Sequence, residues 1–236
     1  MGAINSKRYK ALFFDLDHTL WDYSASSKET LTDIYNKHLL NHDLFIVGDF
    51  LKNFDKINGQ LWNKYNKGII DKAYIRENRF DQILSTLGLD DKALSGAIST
   101  EYLFECPRRP NLLPHTKSVL DALQHKYPMY ILTNGFEDVQ TIKLESSGLH
   151  NYFELVITSD GCGFKKPDAT FFNHSLEQSG YQPNEALMIG DNLKTDIAGA
   201  LNMGIDTVYF NPSRNGRPHK STFEISSLDQ LLQILG

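Results

Sequence analysis

The most distinct pattern in the chain is a short apolar run near the N-terminus that ends in two carboxylates. Residues 11–20 read ALFFDLDHTL, so four apolar residues precede Asp15 and Asp17, which a single leucine separates. A continuous apolar run bounded by polar residues predicts a buried strand of a parallel sheet. Because side chains alternate along a strand, Asp15 and Asp17 are expected to point the same way. They should repel each other unless a cation or a proton joins them.

Helical periodicity replaces the strand pattern in the next part of the chain. Apolar residues recur at helical spacing in four stretches, 26–39, 50–65, 72–87 and 91–104, and each predicts a helix. Nothing in these stretches has the continuous apolar run of a buried strand. We therefore predict that residues 21–109 form an inserted all-α domain, with the proline-flanked residues 107–110 leading back to the rest of the chain.

From residue 110 onward, short apolar strands alternate with helices. The strand patterns lie at 130–132, 155–157, 186–189 and 207–210, and a helical pattern separates each from the next. Repeated strand–helix units predict an α/β fold with a doubly wound, Rossmann-like parallel sheet and right-handed crossovers. Residues 1–20 and 110–236 are thus expected to form one α/β domain that the helical insertion interrupts.

Composition and charge narrow the classes of function. Of the 236 residues, 41% are hydrophobic and 22% charged, which is typical of a globular protein. A net charge of -5 and a pI of about 5.9 give no excess of basic residues, so binding to a nucleic-acid polymer is not expected. The sequence has no apolar stretch near the roughly 18 residues of a membrane span, and its N-terminus lacks a signal peptide's apolar core. Cys106 and Cys162 are the only cysteines and have no metal-binding spacing, so we expect a cytoplasmic protein with free thiols. We also expect a monomer or a small homo-oligomer.

The ends of the predicted strands carry the residues with the clearest chemistry. Ligands of open α/β sheets bind beyond the carboxyl ends of the strands, so side chains that follow each strand should meet at one edge. In chain order, these residues are Asp15, Asp17, Thr133, Asn134, Lys165, Lys166, Asp191 and Asp196. Carboxylate oxygens suit Mg²⁺, whereas hydroxyl, amide and ammonium groups suit a phosphoryl group. A carboxylate nucleophile that forms an aspartyl-phosphate, with a second carboxyl as acid and base, would use such a set.

Four segments that hold these residues resemble the motifs of a known superfamily. The segments DLDHT, ILTNG, KKPD and GDNLKTD resemble, in order, the four motifs of the haloacid dehalogenase superfamily of phosphatases, and they span Asp15 to Asp196. The helical insertion resembles that superfamily's α-helical (type C1) cap domain. The segments DHTLWDYSASSKETL and GIIDKAYIRENRF are most similar to its 5′-nucleotidase branch.

The resemblance implies a role for each strand-end residue. Asp15 matches the nucleophile and a metal ligand, and Asp17 matches the acid/base, with its backbone carbonyl as a further metal ligand. Thr133 matches the hydroxyl that binds the transferring phosphoryl group, and Asn134 is implied to bind substrate in the same loop. Lys166 matches the lysine that offsets negative charge, with Lys165 as the alternative. In the last motif, Asp191 matches a metal ligand and Asp196 a nearby acid that supports the ligands.

Two further residues are interpreted with less help from the motifs. His18 stands where relatives often have glycine, and we interpret it as a loop residue that takes no part in catalysis. Within the cap, Arg79 is a candidate to meet the phosphate or ribose of a substrate, although a position at helical spacing also suits the core.

The resemblance and the residue types together predict a Mg²⁺-dependent phosphomonoesterase that acts through an aspartyl-phosphate. The expected substrate is a small phosphorylated metabolite, first of all a nucleoside 5′-monophosphate. Alternatives are a phosphatase of phosphoglycolate or a sugar phosphate, and a phosphomutase. A phospho-aspartate signalling protein or a non-catalytic binding protein is disfavoured, because the insertion is long and every motif residue is present.

Overall fold

The computed structural model describes residues 9–216 and 219–236, and they divide into two compact units. The first unit holds the described residues up to Tyr23 together with Asn111–Gly236, and the second is Ser24–Pro110. We expected divisions after residues 20 and 109, and those of the structure fall after Tyr23 and Pro110. Residues 1–8 of the predicted first segment lie outside the described residues.

A six-stranded parallel sheet forms the centre of the first unit. Its strands are β1 Ala11–Phe14, β2 Met129–Thr133, β3 Leu155–Thr158, β4 Ala186–Gly190, β5 Asp206–Phe210 and β6 Phe223–Ile225, and their order in the sheet is β3-β2-β1-β4-β5-β6. The predicted α/β class and parallel sheet are therefore confirmed. Strand β6 was not predicted, because three residues reading FEI are too short to stand out from their polar surroundings.

The strand order reverses at β1, and this reversal locates the site. From β1 the chain moves outward through β2 and β3, then continues on the other side of β1 with β4, β5 and β6. Ligands of such sheets bind at the carboxyl ends of the strands beside the reversal. Asp15 follows β1 directly, and its backbone N–H donates to the Ile189 carbonyl of β4 at 2.9 Å. The first predicted carboxylate thus lies at the switch point.

The second unit is all-α, as the helical periodicity predicts. Its helices are α1 Tyr23–Ile34, whose first residue belongs to the first unit, α2 Val47–Asn66, α3 Lys72–Thr86 and α4 Lys92–Glu105. A π-helical turn, Tyr35–Leu39, continues α1. Asp71 and Asp91 cap α3 and α4 by accepting from the backbone N–H groups of Tyr74 at 2.8 Å and Leu94 at 2.9 Å. Such caps satisfy donors that the first helical turn leaves open, which fixes where each helix begins.

Helices of the first unit cover the sheet: α5 Thr116–Leu123, α6 Glu137–Ser147, α7 Ser159–Cys162, α8 Ala169–Ser179, α9 Ala198–Asn202 and α10 Leu231–Leu235. Phe13, Leu132 and Met188 of three adjacent strands pack in one buried cluster with Phe171 and Phe172 of α8. Covering the sheet in this way explains why its central strands read as continuous apolar runs. Within the described ranges, no helix has both the length and the apolar character of a membrane span.

Candidate active site

The centre of the site is an ion pair between Lys166 and Asp15. The Lys166 Nζ atom lies 2.7 Å from Asp15 Oδ1 and 2.8 Å from Asp196 Oδ1, and it donates to the Leu132 carbonyl at 2.6 Å. The ammonium group is buried and saturated with partners, so its pKa is raised: burial alone would lower that pKa, but Asp15 and Asp196 outweigh it. Lys165, the alternative lysine, is partly exposed. The geometry therefore brings Lys166 to the predicted nucleophile.

Three carboxylates meet beside this lysine. Oxygen atoms of Asp15, Asp191 and Asp196 all lie within 4.8 Å of one another. Burial raises the pKa of Asp15 to about 7, with a further rise from Asp196 that Lys166 opposes. Burial, then the charges of Asp15 and Asp196, raise the pKa of Asp191 well above its ordinary value. A divalent cation would relieve the repulsion among these crowded carboxylates, and their hard oxygen atoms are ligands that fit Mg²⁺.

Both oxygen atoms of Asp196 have donors, as do those of Asp15, whose Oδ2 accepts from the Thr19 hydroxyl at 3.3 Å. The Asp196 Oδ1 accepts from Lys166 and from the Thr195 hydroxyl at 3.1 Å, and its Oδ2 accepts from the Asn192 N–H at 3.0 Å. It lies on a π-helical turn, Leu193–Ile197, a distortion that is frequent at functional sites. These contacts join Asp196 to Lys166 and to its own loop, in keeping with the predicted role of an acid that supports the ligands.

Asp17 faces helix α6. Its Oδ1 lies 2.6 Å from Lys143 Nζ, and its Oδ2 accepts from Gln140 Nε2 at 2.9 Å. Burial alone would raise the pKa of Asp17, but the ion pair with Lys143 and the two hydrogen bonds lower it. The intervening His18 has φ of +64°, the left-handed region that glycine favours, in keeping with its interpretation as a loop residue.

Sequence reasoning missed Gln140 and Lys143. A signal was present, because the apolar residues of α6, Val139, Ile142 and Leu144, do not form one stripe. The buried face of this helix consists instead of Gln140, Lys143, Leu144 and Ser147, which have helical spacing. When a helix lies next to a motif and turns polar side chains toward the protein interior, those side chains are candidates to reach into a site.

Thr133 and Asn134 occupy the end of β2, where they were predicted, and each has defined partners. The Thr133 Oγ1 atom accepts from the Gly135 N–H at 2.9 Å and from Gln140 Nε2 at 2.7 Å. Since the oxygen accepts in both bonds, its own hydrogen can donate to a phosphoryl oxygen. Asn134 directs its amide to the Lys166 backbone, so its implied binding of substrate stays a prediction.

Arg79 belongs to the helical unit and lies in that unit's interior. Its side chain is buried, its guanidinium lies 4.6 Å from the Tyr102 ring centroid and 5.2 Å from that of Phe80, and it donates to Asn58 Oδ1 at 3.2 Å. Cation–π contacts of this kind stabilise packing between helices. These contacts join Arg79 to the cap's own core, and its predicted binding of substrate rests on sequence alone.

Comparison with known proteins supports the reading of these motifs. Residues 9–204 match a family model described as haloacid dehalogenase-like hydrolase. The chain belongs to this family. It is therefore a hydrolase, and the expected membership of the haloacid dehalogenase superfamily is confirmed.

Individual relatives of this haloacid dehalogenase-like hydrolase cover nearly its whole length. The chain is 33% identical over 231 residues to the pyrimidine 5′-nucleotidase PynA of Streptococcus pneumoniae, covering 96% of this chain and 95% of the relative. It is 39% identical over 210 residues to a ribulose-1,5-bisphosphate 5-phosphatase of Halopiger xanaduensis, covering 86% and 85%. A solved structure of the putative hydrolase YfnB of Bacillus subtilis, bound to magnesium, superposes with a TM-score of 0.87 at 28% identity, covering 97% of this chain and 99% of that one. The first relative agrees with the predicted 5′-nucleotidase branch.

Proposed function

We propose that the protein is a Mg²⁺-dependent phosphomonoesterase that hydrolyses nucleoside 5′-monophosphates, pyrimidine nucleotides first, through an aspartyl-phosphate. The observation that carries this proposal is the placement of Asp15 at the switch point of the sheet, 2.7 Å from a buried lysine. Asp15 also belongs to a cluster of three carboxylates. The likeness to PynA supports the choice of substrate.

The proposed reaction has two halves. A carboxylate oxygen of Asp15 attacks phosphorus, and the bond between phosphorus and the leaving oxygen breaks while Asp17 gives that oxygen its proton. Asp17 takes up this proton when substrate binds, because the negative charge of the phosphoryl group raises its pKa against the lowering effect of Lys143. Water then attacks the aspartyl-phosphate and passes a proton to Asp17, and the bond between phosphorus and Asp15 breaks. The products are the nucleoside and inorganic phosphate, and both aspartates return to their starting states.

Positive and hydrogen-bonding groups of the chain act on the phosphoryl charge. Lys166 offsets the negative charge between Asp15 and the phosphoryl group, and the Thr133 hydroxyl donates to a phosphoryl oxygen. Mg²⁺ would be held by the carboxylates of Asp15 and Asp191 and by the Asp17 backbone carbonyl, and when bound it supplies positive charge to the phosphoryl oxygens. Because these groups are fixed in advance, they stabilise charge as it develops.

The proposal is tested by phosphate release from a panel of esters with and without Mg²⁺. The panel holds pyrimidine and purine nucleoside 5′-monophosphates, ribose 5-phosphate, ribulose 1,5-bisphosphate and phosphoglycolate. We expect pyrimidine nucleotides to rank first, EDTA to remove the activity, and Asp15→Asn to abolish turnover with an unchanged circular dichroism spectrum. Near-normal turnover by Asp15→Asn would refute the mechanism.

A sugar-phosphate phosphatase is the second candidate function. The 39% identity to a ribulose-1,5-bisphosphate 5-phosphatase favours it over the remaining alternatives. In the same panel, sugar phosphates ranking above every nucleotide would replace the proposed substrate and leave the chemistry unchanged. A phosphomutase would instead give an isomeric sugar phosphate, so product analysis by ³¹P NMR separates that alternative.

A further inference from the structure

Helix α6 turns two polar side chains toward the protein interior. Gln140 is fully buried and Lys143 is 6% exposed. Fully buried lysines are rare unless they are paired, since removing the ammonium group from water is expensive. Apolar residues at these two positions would pack against the sheet without that cost. The pair therefore has a role that packing alone does not explain.

Both residues bind Asp17, and each takes a different oxygen atom. Lys143 Nζ lies 2.6 Å from Oδ1, and Gln140 Nε2 donates to Oδ2 at 2.9 Å. The terminal torsion of an aspartate is broad, so one donor would leave its carboxylate free to rotate. Two donors from one rigid helix, one turn apart, fix the plane of the carboxylate.

Gln140 also joins Asp17 to the phosphoryl-binding hydroxyl. Its Nε2 atom carries two hydrogens, and it donates to Thr133 Oγ1 at 2.7 Å as well as to Asp17. Gly135 makes this reach possible, because a Cβ atom there would overlap the Gln140 amide nitrogen. The Gln140 amide thus sets the distance between the Thr133 hydroxyl, which binds the phosphoryl oxygen, and the Asp17 carboxylate, which serves the leaving oxygen.

Lys143 is itself held by aromatic rings that follow the first motif. Its Nζ lies 4.6 Å from the Trp21 ring centroid and 5.9 Å from that of Tyr23. Cation–π attraction to a buried tryptophan is strong, because little water competes for the ammonium group. The lysine therefore has a fixed place from which it directs Asp17.

We infer that Gln140 and Lys143 are positioning residues that orient Asp17 for proton transfer to the leaving oxygen and align it with Thr133. This inference rests on the proposed function, since it assigns a role in that reaction. Misplacement of a proton donor penalises esters whose leaving group must be protonated. An aryl phosphate with a stable phenolate leaving group needs little such help.

The test compares kcat/KM for the best nucleotide with kcat/KM for p-nitrophenyl phosphate. The quantity kcat/KM reports the steps up to departure of the leaving group. Lys143→Met and Gln140→Met are expected to lower kcat/KM about 10²-fold for the nucleotide and less than about tenfold for the aryl ester. Lys143→Arg, which keeps the charge, should restore most of the nucleotide activity. Lys10→Met, which removes the exposed lysine paired with Glu185, is the matched control and should leave kcat/KM unchanged for both esters.

The outcomes separate this inference from the proposed function. Equal losses on both esters in a variant that melts at the wild-type temperature, or no loss on either ester, would overturn the positioning role. If Lys143→Met unfolds, Gln140→Met decides between these outcomes. If the wild type releases phosphate from both esters and Asp15→Asn from neither, the proposed function stands whatever Lys143→Met does. A wild type inactive on every ester of the panel would reject the proposed function itself.

Discussion

Asn134 clamps the backbone of Lys166 with both ends of its amide. Its Nδ2 donates to the Lys166 carbonyl at 2.9 Å, and the Lys166 N–H donates to Asn134 Oδ1 at 2.8 Å. The two residues lie on different loops of the sheet edge, so this pair of hydrogen bonds joins the second motif to the third. Lys166 thereby enters the site with its backbone already fixed.

Loss of this clamp should lower activity without removing any charged group from the site. For Asn134→Ala we expect kcat to fall about 10- to 100-fold, because a displacement of Lys166 by a fraction of an ångström weakens its contact with the transferring group. Asn134→Asp keeps the acceptor but turns a carboxylate oxygen toward the Lys166 carbonyl and adds a negative charge, so its kcat should be no higher than that of the alanine variant. Steady-state kinetics of the two variants test this order. An increase in KM alone would instead indicate that Asn134 binds substrate directly.

The two adjacent lysines give a sharper test of the third motif. Lys166→Met should lower kcat about 10²- to 10³-fold, because it removes the cation that offsets phosphoryl charge in the proposed mechanism. It also leaves buried Asp15 and Asp196 without their cation, and loss of one partner of a buried pair destabilises by about 3–5 kcal/mol. Lys165→Met changes a partly exposed side chain and should reduce kcat by less than about threefold, with a change in the free energy of unfolding within about 0.5 kcal/mol, as is usual for surface substitutions. Kinetics and urea unfolding decide the assignment, and the reverse order of the two losses would transfer the role to Lys165.

Gly190 provides the space that Asp196 occupies. A Cβ atom at Gly190 would lie 2.7 Å from Asp196 Cγ, closer than side chains tolerate. Gly190→Ala should therefore displace Asp196 and, through it, Lys166, with a fall in kcat of about 10- to 100-fold. Gly96 of α4 is the matched control, because nothing lies within 4 Å of an added Cβ and alanine favours helices. Gly96→Ala should raise the free energy of unfolding by about 0.5–1 kcal/mol with kcat unchanged. Equal kcat in the two variants would contradict the prediction.

The sequence predicts the sheet well because its central strands are buried on both faces. Apolar runs such as 11–14 and 186–189 carry that signal, and the polar residues that follow them belong to the strand ends. Partnerships between side chains are harder to predict. Asn134 reads as a substrate ligand in its motif, yet its amide binds the Lys166 backbone, 32 residues along the chain. Arg79 has the charge for a phosphate, but only the packing of α3 reveals three aromatic rings around it. Such contacts depend on tertiary geometry that spacing does not encode.

The crowded carboxylates should make stability depend on pH in the absence of a divalent cation. The pKa of Asp15 is about 7 in the folded protein, against an ordinary value of 3.8. Between these values the folded state binds more protons than the unfolded state. Asp15 therefore contributes stability that is fully present below pH 3.8 and is lost as the pH rises through 7.

This dependence is measurable as a difference between two proteins. In EDTA, the free energy of unfolding of the wild type should fall by about 2 kcal/mol more than that of Asp15→Asn between pH 5 and pH 7.5. Saturating Mg²⁺ should reduce the fall in the wild type, because a cation that binds only the folded state stabilises the ionised carboxylates. Urea unfolding at the two pH values, with EDTA or Mg²⁺, measures each quantity. Parallel pH profiles for the two proteins in EDTA would mean that the Asp15 carboxyl is already ionised in the folded protein at pH 5, and that Lys166 alone offsets its burial.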